Sequence, residues 1–445
     1  MTPGVLIAAP ASGSGKTVVT LALLRALARG GVAVASAKVG PDYIDPAFHT
    51  AASGRPCTNL DGWAMRPATL DRLIHGLAKG SELIVGEGVM GLFDGAGLPP
   101  GARPAGDGST ADLAARTGWP VVLVVDVRGQ AASAAATLAG FARHRADVDV
   151  AGVLFNRVGG ESHARTLREA ARAAVPEAAV LGCVPRDEAF ALPERHLGLV
   201  QAAERDGLDR FLDRAADHLA RHIDLGVLRD LARPGRAGAG AAGPPIPPLG
   251  QRIAIARDVA FAFVYEATLD GWREAGAELS FFSPLNGEGP PADADAVCLP
   301  GGYPELHAGP LAANRPFRDG LRAAAARGAF LYGECGGYMA LGEVLVDGAG
   351  AAHEMAGLLP LETSFAAPRL HLGYRALRLT QDCPLGPRGG AFRGHEFHYA
   401  ATVRAGEAAP LFEAEDARGT ALGAVGLARG SVAGSFIHLV DRADA

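Results

Sequence analysis

The chain has 445 residues, which predicts two domains because a single hydrophobic core rarely serves more than about 250–300 residues. Nearly half of the residues are hydrophobic and few are aromatic, which is typical of an α/β protein; the net charge of −6 argues against nucleic acid as the main partner. We expect no signal peptide and no membrane span, since no apolar run is long enough. The five scattered cysteines form no C-x-x-C pair, so we expect no disulfide framework, no zinc site and a reducing cytoplasm.

The N-terminal region combines a short strand, a glycine-rich loop and a helix. Residues 5–9 form an apolar run, residues 18–27 have helical spacing, and the loop between them reads Pro10-Ala-Ser-Gly-Ser-Gly-Lys-Thr17. The backbone N–H groups of such a loop surround phosphate oxygens, and the following helix adds its positive dipole end. The loop therefore predicts a nucleotide site with contacts from Ser12, Gly13, Ser14, Gly15, Lys16 and Thr17.

Two residues of this loop have specific expected roles. Lys16 is predicted to reach the β- and γ-phosphates of ATP, and Thr17 to place its hydroxyl on Mg²⁺. Pro10 departs from the G-x-x-x-x-G-K-[ST] pattern, which has a glycine at that position. A plain glycine-rich turn before a helix is therefore the alternative interpretation.

Acidic residues follow two further predicted strands. Asp42 and Asp45 come after residues 32–38, and Glu87 and Asp94 come after residues 82–86. Ligands bind at the carboxyl edge of an open parallel sheet, where an acid opposite a phosphate loop can hold Mg²⁺. Glu87 and Asp94 are therefore candidates for contact with metal or substrate phosphate. A solvated turn is the alternative for the three aspartates.

Two continuous apolar runs, at residues 120–126 and 150–156, predict strands that are buried on both faces of a parallel sheet. Asn156 ends the second run and is predicted to read an adenine through its amide. The lone His196, in a polar loop at residues 192–199, is interpreted as structural.

A stretch rich in Gly and Pro divides the chain into two predicted domains. Residues 233–250 offer few side chains for a core and favour extended chain. We predict a linker there, between a P-loop domain at residues 1–232 and a second α/β domain at residues 251–445. Alternating strands and helices begin again in the second domain.

The second domain carries a cysteine in a nucleophile-elbow pattern, Gly333-x-Cys335-x-Gly337. We expect the helix that begins after Cys335 to lower the pKa of its thiol. The backbone N–H groups of Gly302 and Gly336 are predicted to form an oxyanion hole. A buried structural cysteine is the alternative.

A cysteine nucleophile needs a base, and two histidine-bearing stretches compete for that role. His438 follows an apolar run and is expected at a strand tip, where a base belongs. His395 and His398 alternate with Phe397 along a predicted strand. We favour His438.

Six motifs spread over both predicted domains resemble one family of amidating enzymes. They lie at residues 12–17, 38–46, 87–95, 192–198, 332–338 and 394–399. On these motifs the chain is similar to the cobyrinic acid and hydrogenobyrinic acid a,c-diamide synthase family. The resemblance implies an α/β fold in two domains. These are an N-terminal parallel sheet of the dethiobiotin-synthetase-like P-loop kind and a C-terminal flavodoxin-like sheet of the class I glutamine amidotransferases, in the cobyric acid synthase branch.

The resemblance also implies a reaction and its participants. Glutamine and a corrin polycarboxylate would be the substrates, ATP and Mg²⁺ the cofactors, and a homodimer follows by analogy with the fold. Cys335 would attack the glutamine amide with His438 shuttling protons, and the released ammonia would displace phosphate from a phosphorylated corrin carboxylate. Most class I domains have a glutamate two residues after the histidine. Val440 stands there instead, so a Cys–His dyad is implied.

The resemblance further assigns the acidic loops. Asp42, Glu87 and Asp94 would surround the phosphates, the metal and the reacting carboxylate. Thr17, Asp42 and Glu87 would hold the metal, and the substrate contacts would come from Tyr43, Ile44 and Asp45.

Two alternatives share much of this pattern. A ligase acting on a nickel sirohydrochlorin has the same architecture and nearly all of these motifs, whereas cobyric acid synthase lacks the Gly-Pro-Asp-Tyr-x-Asp loop. A P-loop ATPase fused to an inactive amidotransferase-like binding module is the alternative from a different class. The residues do not distinguish a metal-free ring from a cobalt-containing one.

Overall fold

The computed structural model describes residues 1–97, 106–187, 190, 194–195, 198–199, 207–238 and 243–443. They form two compact units. The first comprises Met1–Trp63, Leu70–Ala96 and Arg103–Ala241, and the second comprises Ala64–Thr69, Gly97–Ala102 and Ala242–Ala445. His196 and most of its loop lie outside the described residues. In the described part of the chain, no helix is both long and apolar enough to cross a membrane.

The first unit is built on one mainly parallel sheet. The strands of this sheet are β1 (Pro3–Ala8), β2 (Val34–Val39), β3 (Cys57–Leu60), β4 (Leu83–Glu87), β5 (Val121–Asp126), β6 (Gly152–Val158), β7 (Ala179–Pro185) and β10 (Arg233–Pro234). The short strands β8 (Glu194–Arg195) and β9 (Gly198–Leu199) pair with each other in a separate sheet. The helices of this unit are α1 (Lys16–Arg29), α2 (Asp45–Ser53), α3 (Pro67–Ala78), α4 (Thr110–Thr117), α5 (Ala134–His144), α6 (Glu161–Ala174), α7 (Leu208–Ala220) and α8 (Leu225–Leu231).

The strand order β3-β2-β4-β1-β5-β6-β7 brings three loops to one edge of this sheet. All of these pairings are parallel, and the short β10 adds to β1 in the antiparallel sense. Ile7 on β1 and Lys38 on β2 are both paired in register with Glu87 at the end of β4. The glycine-rich loop and both predicted acidic loops therefore start side by side, at the edge where open α/β sheets bind ligands.

The described residues of the second unit form three sheets. Its strands are β11 (Arg252–Ala256), β12 (Glu278–Phe282), β13 (Ala296–Leu299), β14 (Phe330–Glu334), β15 (Val344–Val346), β16 (Ala352–Glu354), β17 (Leu361–Ser364), β18 (His371–Leu379), β19 (Ala391–His398), β20 (Ala401–Ala405), β21 (Phe412–Asp416), β22 (Ala421–Val425), β23 (Leu427–Arg429), β24 (Val432–Ser435) and β25 (Ile437–Arg442). Its helices are α9 (Glu266–Glu274), α10 (Ala308–Ala313), α11 (Arg315–Ala326) and α12 (Gly336–Leu341).

The central sheet of this unit has the order β12-β11-β13-β14-β24-β23, parallel except for β23. Residues that alternate along its strands enter two different cores, because successive side chains point to opposite faces. Val297 and Leu331 pack with Phe317 and Leu321 of α11. Cys298, Phe330 and Tyr332 pack instead with residues of an antiparallel sheet of order β22-β21-β18-β19-β25.

The chain passes between these two sheets at a single residue. β24 ends at Ser435 in the central sheet, and β25 begins at Ile437 in the antiparallel sheet. His438 is thus the second residue of a strand that starts next to the end of β14. This crossing, rather than a simple strand tip, positions the histidine.

Both ends of the predicted linker at residues 233–250 are built into the units. Arg233–Pro234 forms β10 beside β1, while Ile246 and Leu249 are buried in the core of the second unit.

Candidate functional site

The glycine-rich loop has the backbone geometry that phosphate binding requires. Gly13 and Gly15 adopt φ of +79° and +86°, and α1 begins immediately afterwards at Lys16. A Cβ atom at Gly15 would lie 2.3 Å from Nδ2 of Asn156, so only glycine fits there. The Ser14 hydroxyl closes the loop by donating to the Ala11 carbonyl at 2.8 Å. Backbone amides and a helix start therefore meet in one turn, which suits an anion.

Asn156 and Arg157 support the loop from β6. Asn156 donates from Nδ2 to the Ser14 carbonyl at 2.9 Å and accepts the backbone N–H of Arg157 at 2.9 Å. Arg157 has a φ of +61°, and its Nη1 donates to the Gly13 carbonyl at 2.8 Å and to Asp126 at 2.5 Å. The structure places the Asn156 amide against the loop backbone; its contact with adenine stays a prediction.

Glu87 is the centre of the polar cluster beside the loop. Its side chain is fully buried, and one oxygen accepts the Thr17 hydroxyl at 2.6 Å and Nζ of Lys38 at 2.9 Å, with Nζ of Lys16 at 3.6 Å. The other oxygen lies 2.6 Å from Nε2 of His49. Burial favours the neutral acid, but Lys38, His49 and Lys16 outweigh burial and hold the Glu87 pKa well below its usual value. Glu87 is therefore a carboxylate that the predicted metal ligand Thr17 already touches.

Lys38 links Glu87 to the second acidic loop. Its Nζ contacts the Asp45 carboxylate and lies 4.0 Å from Asp42. Burial and the Asp42 charge raise the Asp45 pKa to about 6, although Lys38 opposes them. Asp42 accepts the backbone N–H groups of Ile44 and Asp45 at 2.8 and 3.1 Å and keeps a third of its side chain exposed. Tyr43 and Ile44, the predicted substrate contacts, are both largely buried.

Asp94 lies beside the start of the glycine-rich loop. Its Oδ2 accepts the backbone N–H of Gly91 at 2.9 Å. A Cβ atom at Gly91 would lie 2.6 Å from that oxygen and 2.7 Å from the Pro10 carbonyl. Asp94 therefore lies next to the glycine-rich loop, in a turn that the Asp94 side chain itself stabilises.

The sequence interpretation missed two residues of this cluster, Lys38 and His49. Lys38 is the one charged residue in the otherwise uncharged strand β2 and is buried, and His49 lies on α2, four residues after Asp45. A lysine within a buried strand was the available signal, because such a charge requires carboxylate partners. The resulting set of hydroxyl and carboxylate oxygens matches the ligands that Mg²⁺ prefers, and the lysines match phosphate.

The second site is built on a strand-to-helix turn at Cys335. β14 ends at Glu334, α12 begins at Gly336, and Cys335 between them has a φ of +46°, which is strained for a residue other than glycine. A Cβ atom at Gly337 would lie 1.8 Å from the Leu299 carbonyl, so the turn requires glycine there. This is the nucleophile-elbow geometry that the motif predicted.

His438 and Cys335 meet around Gly301. A Cβ atom built at Gly301 would lie 2.2 Å from Cε1 and 2.9 Å from Nε2 of His438, and 3.3 Å from Cβ of Cys335. The absence of a side chain at Gly301 thus leaves room for a base beside the thiol. His398 has its ring nitrogens near other groups, with Nε2 3.0 Å from Glu396 and Nδ1 3.1 Å from the Ala400 carbonyl. The geometry favours His438 as the base.

The two predicted oxyanion-hole glycines are neighbours. A Cβ atom at Gly336 would lie 3.1 Å from the backbone nitrogen of Gly302 and 2.8 Å from Cδ of Pro304. Any side chain at Gly302 would collide with the Ala260 carbonyl at 2.0 Å. Two backbone amides can therefore come close together beside Cys335.

The expectation of a lowered thiol pKa was wrong. Burial, followed by the negative charge of Glu305, raises the Cys335 pKa above its usual value, and only the Gly336 N–H among the principal contributions lowers it. The helix α12 has only six residues, so its dipole is too weak to offset the cost of burying a charged thiolate at Cys335. Burial also lowers the His438 pKa to about 3, with further lowering from His395 and His398. Both partners are therefore neutral in the resting site.

Comparison with known proteins matches both halves of the chain. Residues 5–200 match the family model described as the CobQ/CobB/MinD/ParA nucleotide binding domain, and residues 252–445 match the CobB/CobQ-like glutamine amidotransferase domain. A hydrogenobyrinate a,c-diamide synthase from Brucella anthropi is 55% identical over 98% of each chain. Proteins of the same name from Sinorhizobium sp and Mesorhizobium japonicum are 53% and 49% identical over 99% of each chain. The chain belongs to the hydrogenobyrinate a,c-diamide synthase family.

Proposed function

We propose that this protein uses ATP and glutamine to amidate the a and c carboxylates of hydrogenobyrinic acid in cobalamin biosynthesis. The observation that carries the proposal is identity of about half or more, over nearly the whole of both chains, to proteins named for that product. The name of these relatives favours the metal-free ring over the cobalt-containing ring and over a nickel sirohydrochlorin. The pairing of Cys335 and His438 around Gly301 supports a working amidotransferase rather than an inactive binding module.

In the glutaminase half, Cys335 is the nucleophile and His438 the base. The thiol proton moves to Nε2 of His438 as Sγ attacks the amide carbon of glutamine, so that charge develops on both partners only during reaction. The amides of Gly302 and Gly336 stabilise the oxyanion. His438 then gives the proton to the leaving nitrogen, ammonia departs, and water releases glutamate from Cys335.

In the ligase half, the glycine-rich loop and Lys16 bind the phosphates of ATP. Thr17, Asp42 and Glu87 would hold Mg²⁺, which when bound neutralises negative charge on the phosphate oxygens. Asp94, in the loop after β4, and Asp45, the first residue of α2, would face the reacting carboxylate of the ring. The γ-phosphoryl group of ATP is transferred to that carboxylate with release of ADP, and ammonia then displaces phosphate and leaves an amide. The choice of Mg²⁺, a cytoplasmic location, a homodimer and the absence of a nucleic-acid partner stay predictions.

The proposal is tested with Cys335→Ser and two nitrogen sources. We expect the variant to lose amidation with glutamine and to retain it with ammonium salts, because the hydroxyl is a weaker nucleophile and the ligase half does not use the thiol. Cys383→Ser is the matched control, since Cys383 is a free cysteine outside the elbow motif and is only partly buried. Equal loss of both activities in Cys335→Ser would contradict the assigned role of the thiol.

A further inference from the structure

The position that supplies a carboxylate to the histidine in most class I amidotransferase domains is occupied by an apolar residue in this chain. Two residues after His438 stands Val440, an apolar side chain that is 2% exposed. A base that must gain a proton in a buried site benefits from a third group that orients its ring and stabilises its charge. The need for such a group is greater here because burial already lowers the His438 pKa.

A different carboxylate occupies the space next to the ring. Glu334, the residue immediately before Cys335, places Oε2 3.8 Å from Nδ1 of His438. The opposite side of the ring, at Cε1 and Nε2, faces the position between Gly301 and Cys335. The two ring nitrogens of His438 therefore face different groups: Nε2 lies on the side of the Cys335 thiol, and Nδ1 lies on the side of Glu334.

Glu334 is held in that place by the strand that carries the histidine. Its Oε1 accepts the backbone N–H of Leu439 at 3.0 Å, and β14 pairs in register with β24 as far as Ser435. One glutamate thus joins the nucleophile elbow to the start of β25. The contact depends on the chain crossing between two sheets at Phe436, which brings residue 438 beside residue 334.

We propose that Glu334 is the positioning carboxylate of this glutaminase site. It would take the role of the glutamate that most class I amidotransferase domains carry at the position of Val440 in this chain. The inference rests on the proposed role of Cys335 and His438 in glutamine hydrolysis. When the Sγ–H bond of Cys335 breaks and an N–H bond forms at Nε2, the imidazolium carries its second proton on Nδ1. That nitrogen lies 3.8 Å from Oε2 of Glu334, so the carboxylate attracts the positive charge that develops on the ring.

The charges around the pair are consistent with this role. Burial raises the Glu334 pKa to about 7, while the Leu439 N–H and the Tyr332 side chain lower it. His395 and His398 on β19 both oppose a positive charge on His438. Above neutral pH, Glu334 is therefore the group that supplies the compensating negative charge next to the ring.

The test uses Glu334→Gln, which keeps the shape and an oxygen for the Leu439 N–H but removes the charge. We expect kcat for glutamine hydrolysis to fall by about 10²-fold with little change in KM, because an orienting carboxylate acts on the proton transfer. Amidation with ammonium salts is expected to stay at the wild-type rate. Glu343→Gln, at a partly exposed glutamate that pairs with Arg404, is the matched control and is expected to keep both activities.

A second measurement separates positioning from a structural role. We expect the pH at which Cys335 is half-maximally alkylated by iodoacetamide to fall in Glu334→Gln, because the negative charge of Glu334 beside the buried thiol raises the Cys335 pKa. Adding Val440→Glu to Glu334→Gln returns a carboxylate to the usual position and is expected to restore part of the lost kcat. Unchanged glutamine hydrolysis in Glu334→Gln, or an unchanged alkylation profile, would overturn the inference. Equal loss with glutamine and ammonium salts would also overturn it.

The failure of the proposed function gives a different result. If wild-type protein hydrolyses no glutamine, the proposed reaction fails, while the alkylation profile still reports whether Glu334 acts on the Cys335–His438 pair.

Discussion

Substituting alanine for Gly301 inserts one methyl group between the proposed nucleophile and its base. The new Cβ would lie 2.2 Å from Cε1 and 2.9 Å from Nε2 of His438, and 3.3 Å from Cβ of Cys335. Carbon atoms in proteins normally approach to about 3.5–4.0 Å, so the His438 ring must move by more than about 1 Å. The ring is fully buried, and neighbouring side chains limit where it can go.

The expected cost follows from that displacement. A misplacement of about 1 Å at a catalytic group costs about 10²-fold in rate, which corresponds to about 2.7 kcal/mol in the activation free energy. Overpacking a buried site costs a further ~1–3 kcal/mol of folding free energy. We therefore expect glutamine hydrolysis to fall by about 10²-fold while the protein remains folded.

The assay measures glutamate release from glutamine, with ammonia-dependent amidation as the internal reference. Gly309→Ala is the matched control, because a Cβ atom there would meet its nearest neighbour, Cε1 of His353, at an ordinary 3.8 Å. We expect Gly309→Ala to keep both activities. Wild-type glutamine hydrolysis in Gly301→Ala would refute the reasoning that His438 and Cys335 act across this gap.

Three further results are expected. Lys38→Met should lower the free energy of unfolding by about 3–5 kcal/mol in urea titrations, because Glu87 and Asp45 lose their buried cation; the exposed Lys79→Met should change it by less than about 0.5 kcal/mol, and an equal effect of the two would contradict the buried cluster. Chelation with EDTA should abolish ATP-dependent amidation but leave glutamine hydrolysis intact, and added Mg²⁺ should restore amidation; amidation that survives EDTA would exclude a metal at Thr17 and Glu87. Between pH 6.5 and 3 the His438 ring binds a proton in the unfolded state but stays neutral in the folded state. The His438 contribution should therefore lower the free energy of unfolding by about 1.4 kcal/mol for each pH unit of acidification. A His438→Gln variant should show a shallower fall, and identical slopes would argue against a buried neutral ring.

Local patterns were sufficient for much of the fold and for naming candidate side chains that the structure places close together. The glycine-rich loop, the acid at the end of β4 and the elbow at Cys335 each depend on a few adjacent residues. The glycine-rich loop needs Gly15 and the elbow needs Gly337, because a side chain at either position would collide with its neighbours. Both glycines are part of the sequence motifs. The alternation of strands and helices likewise predicted two α/β units.

Contacts made across the sheets could not be read from the sequence in the same way. Lys38 reaches Glu87 only because β2 and β4 are neighbours in register, and the strand order sets that pairing. Glu334 reaches His438 only because the chain changes sheets at Phe436. The thiol pKa was predicted with the wrong sign because a sequence does not show how deeply Cys335 is buried.

Mass spectrometry of the reaction product determines which ring this protein amidates and at how many positions. The protein is incubated with ATP, Mg²⁺ and glutamine, with hydrogenobyrinic acid in one tube and its cobalt-containing counterpart in another. We expect two successive replacements of a carboxyl hydroxyl by an amino group on the metal-free ring. Amidation of the cobalt-containing ring alone, or of neither ring while glutamine is still hydrolysed, would contradict the proposed function.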